Sequence, residues 1–262
     1  MMLNRCWERG LKKLTDKKYA FFIDIDGTLI NKSGVPSKAV KEKLEYARSL
    51  GCKVFINTGR ARGLITDKHL KSTFFDGIIA ANGQYIELDG KVLRNVCLEK
   101  KRVEKIVRWA NGKVRSGYAE GVYKIYNINY DDERFGKIED SNFENISKML
   151  FFGELSEKDE KLINDGIRFY RHKTYFETVV KGYSKASAMK DVLKEIGFPS
   201  KLSVAIGDSE NDMEMICEAG IGIAMGNAVE SLKKAADYIV ASNENDGVAE
   251  AVNLLVNFQS KV

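Results

Sequence analysis

Several residue types that often mark a function are scarce in this chain of 262 residues. There are two histidines, His69 and His172, far apart and without an HExxH pattern, which disfavours a histidine-built zinc site. There are four cysteines, Cys6, Cys52, Cys97 and Cys217, with no CxxC pair. That argues against a disulfide framework and suits a reducing, cytoplasmic setting. No apolar run approaches the ~18 residues of a membrane span. No GxxxxGK[ST] occurs, so a P-loop is excluded. The net charge of +5 is mild and its signs are mixed. The densest basic run, Lys100-Lys101-Arg102, continues into a helical pattern with Val103, Ile106, Val107 and Ala110, so it reads as a solvated helix face rather than a nucleic-acid patch. The N-terminal residues around Trp7 and Leu11 have no apolar core of a secretory signal and read as a packing or capping helix.

With only two prolines, Pro36 and Pro199, glycine does most of the punctuation. The informative pattern is a set of short apolar runs, each ending on polar residues. Tyr19 to Ile23 meets Asp24, Val54 to Ile56 meets Asn57-Thr58-Gly59, Ile78 to Ala81 meets Asn82-Gly83, and Ser203 to Ile206 meets Gly207-Asp208. Such runs predict strands buried on both faces of a parallel sheet. Helical periodicity lies between them. Ser37 to Leu50 has Ser37 as N-cap and Gly51 as stop, and Ser184 to Ile196 ends at Gly197-Phe198-Pro199. Further on, Glu210 to Ala219 predicts helix, Ile221 to Met225 strand and Ala228 to Ala236 helix. The alternation predicts a Rossmann-like, doubly wound α/β fold. Within it, Gly220-Ile221-Gly222-Ile223-Ala224-Met225-Gly226 is one residue off a dinucleotide fingerprint, and it follows a helix rather than a strand.

One interval is too long for a single crossover. About 120 residues separate Asn82 from Ser203, where roughly a quarter of that suffices. The excess predicts a second, smaller α/β domain at 84–181, inserted into a first domain made of 1–83 and 182–262, with Gly83 and Gly182 as hinges. Within the insert the pattern predicts a hairpin from Gln84 to Val96 turning at Asp89-Gly90. Helices are expected near 101–111, 142–149 and 157–165, and strands near 123–129 and 174–181, with 148–152 either a further strand or blended into the preceding helix. Arg171, His172, Lys173 and Tyr175 form a polar cluster that reads either as exposed strand residues or as substrate contacts.

Ligands of open α/β sheets bind beyond the carboxyl ends of the strands. Asp24, Asp26, Thr58, Asn82 and Asp208 would gather there, with Lys185, Asn211 and Asp212 nearby. Aspartates in such turns are commonly caps. Two Asp-rich turns after two apolar strands, with a lysine, point instead to hard oxygen ligands for Mg²⁺ and to charge that neutralises an incoming phosphate. The Asp24/Asp26 spacing suits one carboxylate that attacks phosphorus and another that protonates the leaving alcohol.

In order along the chain come Asp24-Ile25-Asp26-Gly27-Thr28-Leu29, Asn57-Thr58-Gly59-Arg60, Lys185 within Lys181-Gly182-Tyr183-Ser184-Lys185, and Gly207-Asp208-Ser209-Glu210-Asn211-Asp212. With Ala224-Met225-Gly226-Asn227-Ala228 and Asp246-Gly247-Val248, they resemble the haloacid dehalogenase-like superfamily, in particular its Cof-like phosphatases. The resemblance implies an inserted α/β cap and Mg²⁺-dependent hydrolysis of small phosphate monoesters, such as a sugar phosphate or phosphorylated cofactor, through an aspartyl-phosphate. It implies Asp24 as nucleophile and metal ligand, and Asp26 as general acid/base with its backbone carbonyl on the metal. Thr58, Gly59, Lys185 and Asn211 would bind or orient the phosphate. Asp208 would be a metal ligand, with Asp212 supporting the metal shell. Arg60 and Arg62 either contact the substrate anion or hold their own loop. The partner expected is a small phosphorylated metabolite, with neither nucleic acid nor membrane. A phosphomutase and a non-catalytic phosphometabolite-binding module are the alternatives.

Overall fold

The computed structural model describes residues 18–66, 75–113 and 115–256. The N-terminal helix expected from sequence, with Cys6, and His69 lie outside the described residues.

The strand β1 (Ala20–Ile23) is buried throughout, and α1 (Lys38–Ser49) carries the chain to β2 (Lys53–Asn57) and then β3 (Gly77–Ala80). Ser37 caps α1 by accepting from the Val40 amide at 3.1 Å, and Gly51 takes φ +87° just past its end. β4 (Tyr85–Leu88) and β5 (Lys91–Asn95) form the expected hairpin. Asp89 and Gly90 both have positive φ, as a tight two-residue turn requires. Then come α2 (Lys100–Gly112), β6 (Gly117–Gly121), β7 (Ile125–Ile128), β8 (Gly136–Lys137), β9 (Ile146–Phe152), α3 (Glu157–Ile163), β10 (Ile167–Arg171) and β11 (Tyr175–Val180). The chain closes with α4 (Lys185–Glu195), β12 (Ser203–Gly207), α5 (Met213–Glu218), β13 (Ile221–Ala224), α6 (Glu230–Ala235), β14 (Tyr238–Ile239) and α7 (Gly247–Leu255).

One sheet has the order β14-β13-β12-β1-β2-β3-β4-β5, with β1 paired in parallel to both β12 and β2. The order reverses between β1 and β12, and open α/β sheets bind their ligands beyond the carboxyl ends of the strands at such a point. The glycines of the Gly220 to Gly226 run serve packing. A Cβ on Gly220 would come within 2.4 Å of the Lys201 carbonyl oxygen, and one on Gly222 within 2.4 Å of that of Ile216.

By contact density the described residues fall into two compact units, 18–57 with 75–78 and 185–256, and 58–66 with 79–113 and 115–184. In the first, Phe22 stacks on Phe55 at 5.0 Å, and buried Val40, Leu44 and Ala47 are the core face of α1. In the second, a mainly antiparallel sheet of order β10-β11-β9-β6-β7-β8 carries an apolar cluster. Val103, Ile106 and Val107 of α2 belong to that cluster with Met149, Phe151 and Phe176, and Trp109 meets Phe151 edge-on at 5.5 Å.

The helix expected near 142–149 is absent. Asn142, Phe143 and Asn145 have φ of 52°, 58° and 57°, which no right-handed helix accommodates, and β9 begins at Ile146. Asparagine enters the left-handed region more easily than most residues, and here it breaks a pattern that looked helical. β6 and β10 were not anticipated. β6 is short and rich in Gly and Ala, and β10 alternates with arginine and tyrosine.

Candidate active site

Every polar group of the first unit's site stands just beyond a strand or at a helix start. Asp24 follows β1, and its amide donates to the Ile206 carbonyl at 3.1 Å, which ties it to the end of β12. The turn from Ile25 to Leu29 is closed by the amides of Leu29 and Ile30, which donate to the carbonyls of Asp24 and Ile25. Gly27 makes this turn possible with φ +73°, and a Cβ there would meet Asp208 Oδ2 at 2.4 Å. Asp208 is therefore packed directly against the turn that holds Asp26. Thr28 Oγ1 donates to Asp208 Oδ1 at 2.9 Å. From the C-terminal stretch, Asn227 Nδ2 donates to the Gly27 carbonyl at 2.8 Å, and the Val229 amide donates to the Asp208 carbonyl at 2.9 Å.

Lys185 opens α4 and is 1% exposed. Its carbonyl accepts from Asn57 Nδ2 at 3.0 Å, so the end of β2 fixes the start of that helix. Its Nζ donates to Asp24 Oδ1 at 2.8 Å and to Asp212 Oδ1 at 2.7 Å. Asp212 Oδ2 accepts from the amides of Asp208 and Ser209, both at 3.0 Å, so Asp212 holds the second aspartate turn and the lysine together. Gly207 must be glycine beside it, since a Cβ would lie 2.4 Å from Asp212 Cγ.

Asp24, Asp208 and Asp212 each offer an oxygen within 4.8 Å of the others. At this separation unit charges repel by about 3.5 kcal/mol at an effective dielectric of ~20. Burial, with Asp212 and Asp208 alongside, pushes the Asp24 carboxyl up to about 8 despite the pull of Lys185. Burial and Asp212 push Asp208 up to about 6. Burial would lower Lys185, but Asp212 and Asp24 more than offset it and hold the ammonium above the ordinary lysine value. The donor set fits a hard divalent cation, being oxygen only, convergent and under-neutralised by one lysine.

Sequence reasoning anticipated Asp24, Lys185, Asp208 and Asp212, and the fold brings these four together. Asp26 is exposed, and its carboxyl is not among the three that cluster. Asn211 Oδ1 accepts from Ser209 Oγ at 2.7 Å. Thr58 and Gly59 belong to the second unit. There Thr58 is buried, its Oγ1 accepts from the Arg60 amide at 3.2 Å, and its carbonyl accepts from the Asn82 amide at 3.1 Å. Arg62 pairs with Glu87 at 3.1 Å and donates to the Ile65 carbonyl, and Arg60 reaches the Leu64 carbonyl. Arg62 thus ties its loop to β4, and Arg60 donates within its own loop. Arg171 pairs with Glu160, and His172 stacks on Tyr175 at 4.1 Å.

Sequence reasoning missed Glu120, Lys148 and Glu177, which are buried in the second unit. The available signal was a charge inside an otherwise apolar strand, as in Ile146-Ser147-Lys148-Met149-Leu150-Phe151.

Residues 21–252 match the family described as haloacid dehalogenase-like hydrolase. The 5-amino-6-(5-phospho-D-ribitylamino)uracil phosphatase YcsE of Bacillus subtilis (strain 168) is 31% identical over 241 residues, which cover 88% of this chain and 92% of the relative. Among solved structures, the HAD subclass IIB sugar phosphatase BT4131 superposes with TM-score 0.79 at 25% identity, over 90% of this chain and 98% of that one. A haloacid dehalogenase-like hydrolase from B. subtilis superposes with TM-score 0.81 at 25% identity, over 91% and 100%. The chain belongs to the haloacid dehalogenase-like hydrolases, in their Cof-like branch. It is an enzyme of the phosphatase kind, with the α/β fold of that family. Among the described residues no helix is long and apolar enough to cross a membrane.

Proposed function

We propose that the protein hydrolyses small phosphate monoesters, a sugar phosphate or a phosphorylated cofactor, with Mg²⁺ and through an aspartyl-phosphate on Asp24. The observation that carries this reading is the buried Asp24–Lys185–Asp212 array with Asp208 beside it, at the switch point of a parallel sheet. Lys185 fixes the Asp24 carboxylate through Oδ1 and orients it for attack. A bond forms from Asp24 to phosphorus as the bond to the leaving oxygen breaks, and Asp26 gives that oxygen its proton. Asp26 then takes a proton from the water that attacks phosphorus and releases Asp24. Products are the alcohol and inorganic phosphate.

Asp24, Asp208 and the backbone carbonyl of Asp26 would hold the Mg²⁺, with Asp212 supporting them through the amides of Asp208 and Ser209. Bound there, the ion would supply positive charge that offsets the repulsion between the carboxylates and the phosphate dianion and would stabilise the transferring group. Thr58, whose oxygen accepts from the Arg60 amide, is assigned to donate its one hydroxyl proton to a phosphoryl oxygen. Gly59 and Asn211 complete the phosphate contacts. Substrate selection is assigned to the inserted domain expected at 84–181. A cytoplasmic site of action agrees with the free thiols of Cys52, Cys97 and Cys217.

Turnover of p-nitrophenyl phosphate and a panel of phosphate monoesters, with Mg²⁺ and with EDTA, tests the reading. Activity is expected only with the metal, and Asp24→Asn is expected to lose at least a thousandfold in kcat, about 4 kcal/mol. Inactivity across the whole panel, or full activity of Asp24→Asn, defeats it.

A further inference from the structure

Three charged side chains stand on one face of the second unit's sheet and are almost wholly buried: Glu120 on β6, Lys148 on β9 and Glu177 on β11. Glu120 and Lys148 are directly opposed in register, and Glu177 faces Leu150, two residues along β9 from Lys148. The other face, with Ala119, Met149, Phe151 and Phe176, belongs to the apolar cluster that includes α2. Residues with no place in the apolar cluster are thus still shielded from water.

Part of the shield is the loop that follows β2. Lys148 Nζ donates to the Gly59 carbonyl at 2.9 Å, while it pairs with Glu177 at 2.7 Å and Glu120 at 3.6 Å. Glu120 Oε2 in turn accepts from the Ala61 amide at 3.5 Å. Gly63 sits so close that a Cβ would lie 3.0 Å from the Gly121 carbonyl oxygen. A buried ion pair contributes little net stability compared with apolar residues of the same shape, so its value here lies in where it puts a donor. That donor grips a glycine, the residue type whose backbone is least restrained on its own.

We propose that Lys148 is a positioning residue, held by Glu120 and Glu177, that clamps the Gly59 carbonyl and so sets the Thr58–Gly59 segment in its phosphate-binding shape. The inference rests on the proposed role of Thr58 and Gly59 in binding the phosphoryl group. The clamp acts on the loop and not on the alcohol part of a substrate, so its loss should weaken all phosphates alike.

The test is a triple variant, Lys148→Met with Glu120→Gln and Glu177→Gln, which replaces the whole array with uncharged near-isosteres and leaves no lone buried charge. Kinetics are measured on p-nitrophenyl phosphate and acetyl phosphate, whose leaving groups differ, alongside amide hydrogen exchange in residues 58–66. The expected result is a fall in kcat/KM of at least tenfold on both substrates, by the same factor within threefold, a raised inhibition constant for inorganic phosphate, and at least tenfold faster exchange in the loop. Unchanged kinetics in a folded triple variant overturn the proposal, as does a loss confined to one substrate, which would make Lys148 a leaving-group contact. If the triple variant does not fold, Lys148→Arg carries the test. It keeps the charge but moves the donor off the Gly59 carbonyl, and a uniform three- to tenfold loss is expected; wild-type kinetics there overturn the clamp. A wild-type protein inactive on both phosphates refutes the phosphatase reading by itself, and loop exchange still decides whether Lys148 holds residues 58–66.

Discussion

Replacing Gly27 by alanine probes how tightly the first aspartate turn is packed on the second. Gly27 has φ +73°, where an L-residue costs about 1–2 kcal/mol. The new Cβ would also lie 2.4 Å from Asp208 Oδ2 and 2.8 Å from its Cγ, so the Asp208 carboxylate must move. That carboxylate accepts from Thr28 Oγ1 at 2.9 Å, and losing a hydrogen bond to a charged group costs about 1.5–3 kcal/mol. Together Gly27→Ala should cost roughly 2.5–5 kcal/mol. Gly197→Ala is the control. Its φ is +64° and nothing lies within 4 Å of the added Cβ, so only the backbone cost of about 1–2 kcal/mol applies. At roughly 2–4 °C per kcal/mol for a chain of this size, thermal unfolding should fall by about 5–20 °C in the first and about 2–8 °C in the second. The Mg²⁺ concentration for half-maximal turnover should rise only in Gly27→Ala. Equal loss of stability in the two variants, with unchanged Mg²⁺ dependence, would refute the argument that Gly27 exists to seat Asp208.

Two further perturbations address charge. The Asp24 carboxyl is raised to about 8 by burial and its aspartate neighbours, so the folded, metal-free protein keeps that proton to higher pH than the unfolded chain, whose aspartates titrate near ~4. Its ionisation therefore costs stability as pH rises from about 4 to about 8, and Asp24→Asn should flatten that fall in urea unfolding with EDTA present; a wild-type slope in the variant contradicts this. Burial pushes Asp76 up, but Arg48, Lys53 and the Val54 amide outweigh it and hold the carboxyl below its usual range. Its contribution is present above about pH 4 and is lost as pH falls through the lower folded value. Because Arg48 and Lys53 are 30% and 47% exposed, Asp76→Asn should cost only about 1 kcal/mol at neutral pH, read as a lower urea midpoint. An unchanged midpoint at neutral pH would mean the cluster is inert.

What could be read without coordinates follows the range of the forces involved. Local rules were enough for α1, where Ser37 caps and Gly51 stops the helix, for the Asp89-Gly90 hairpin, and for the parallel strands with aspartates at their ends. They failed where local signals conflicted, at Asn142 to Asn145, where single left-handed residues interrupt a helix-like pattern and β9 follows. The four motifs placed Asp24, Lys185, Asp208 and Asp212 in one site because each ends a strand or begins a helix, positions that a doubly wound sheet brings together.

The sequence by itself determined the alternation of strands and helices, the excess of chain between Asn82 and Ser203, and the residue types able to handle phosphate and metal. Only the tertiary structure decided which oxygen of each aspartate meets Lys185, that Gly27 must stay small to seat Asp208, and that Lys148 is buried against the Gly59 carbonyl. The physical reason is separation along the chain. Lys185 meets Asp24 across 161 positions and Lys148 meets Gly59 across 89, and such contacts depend on sheet order and strand register, which local periodicity does not encode.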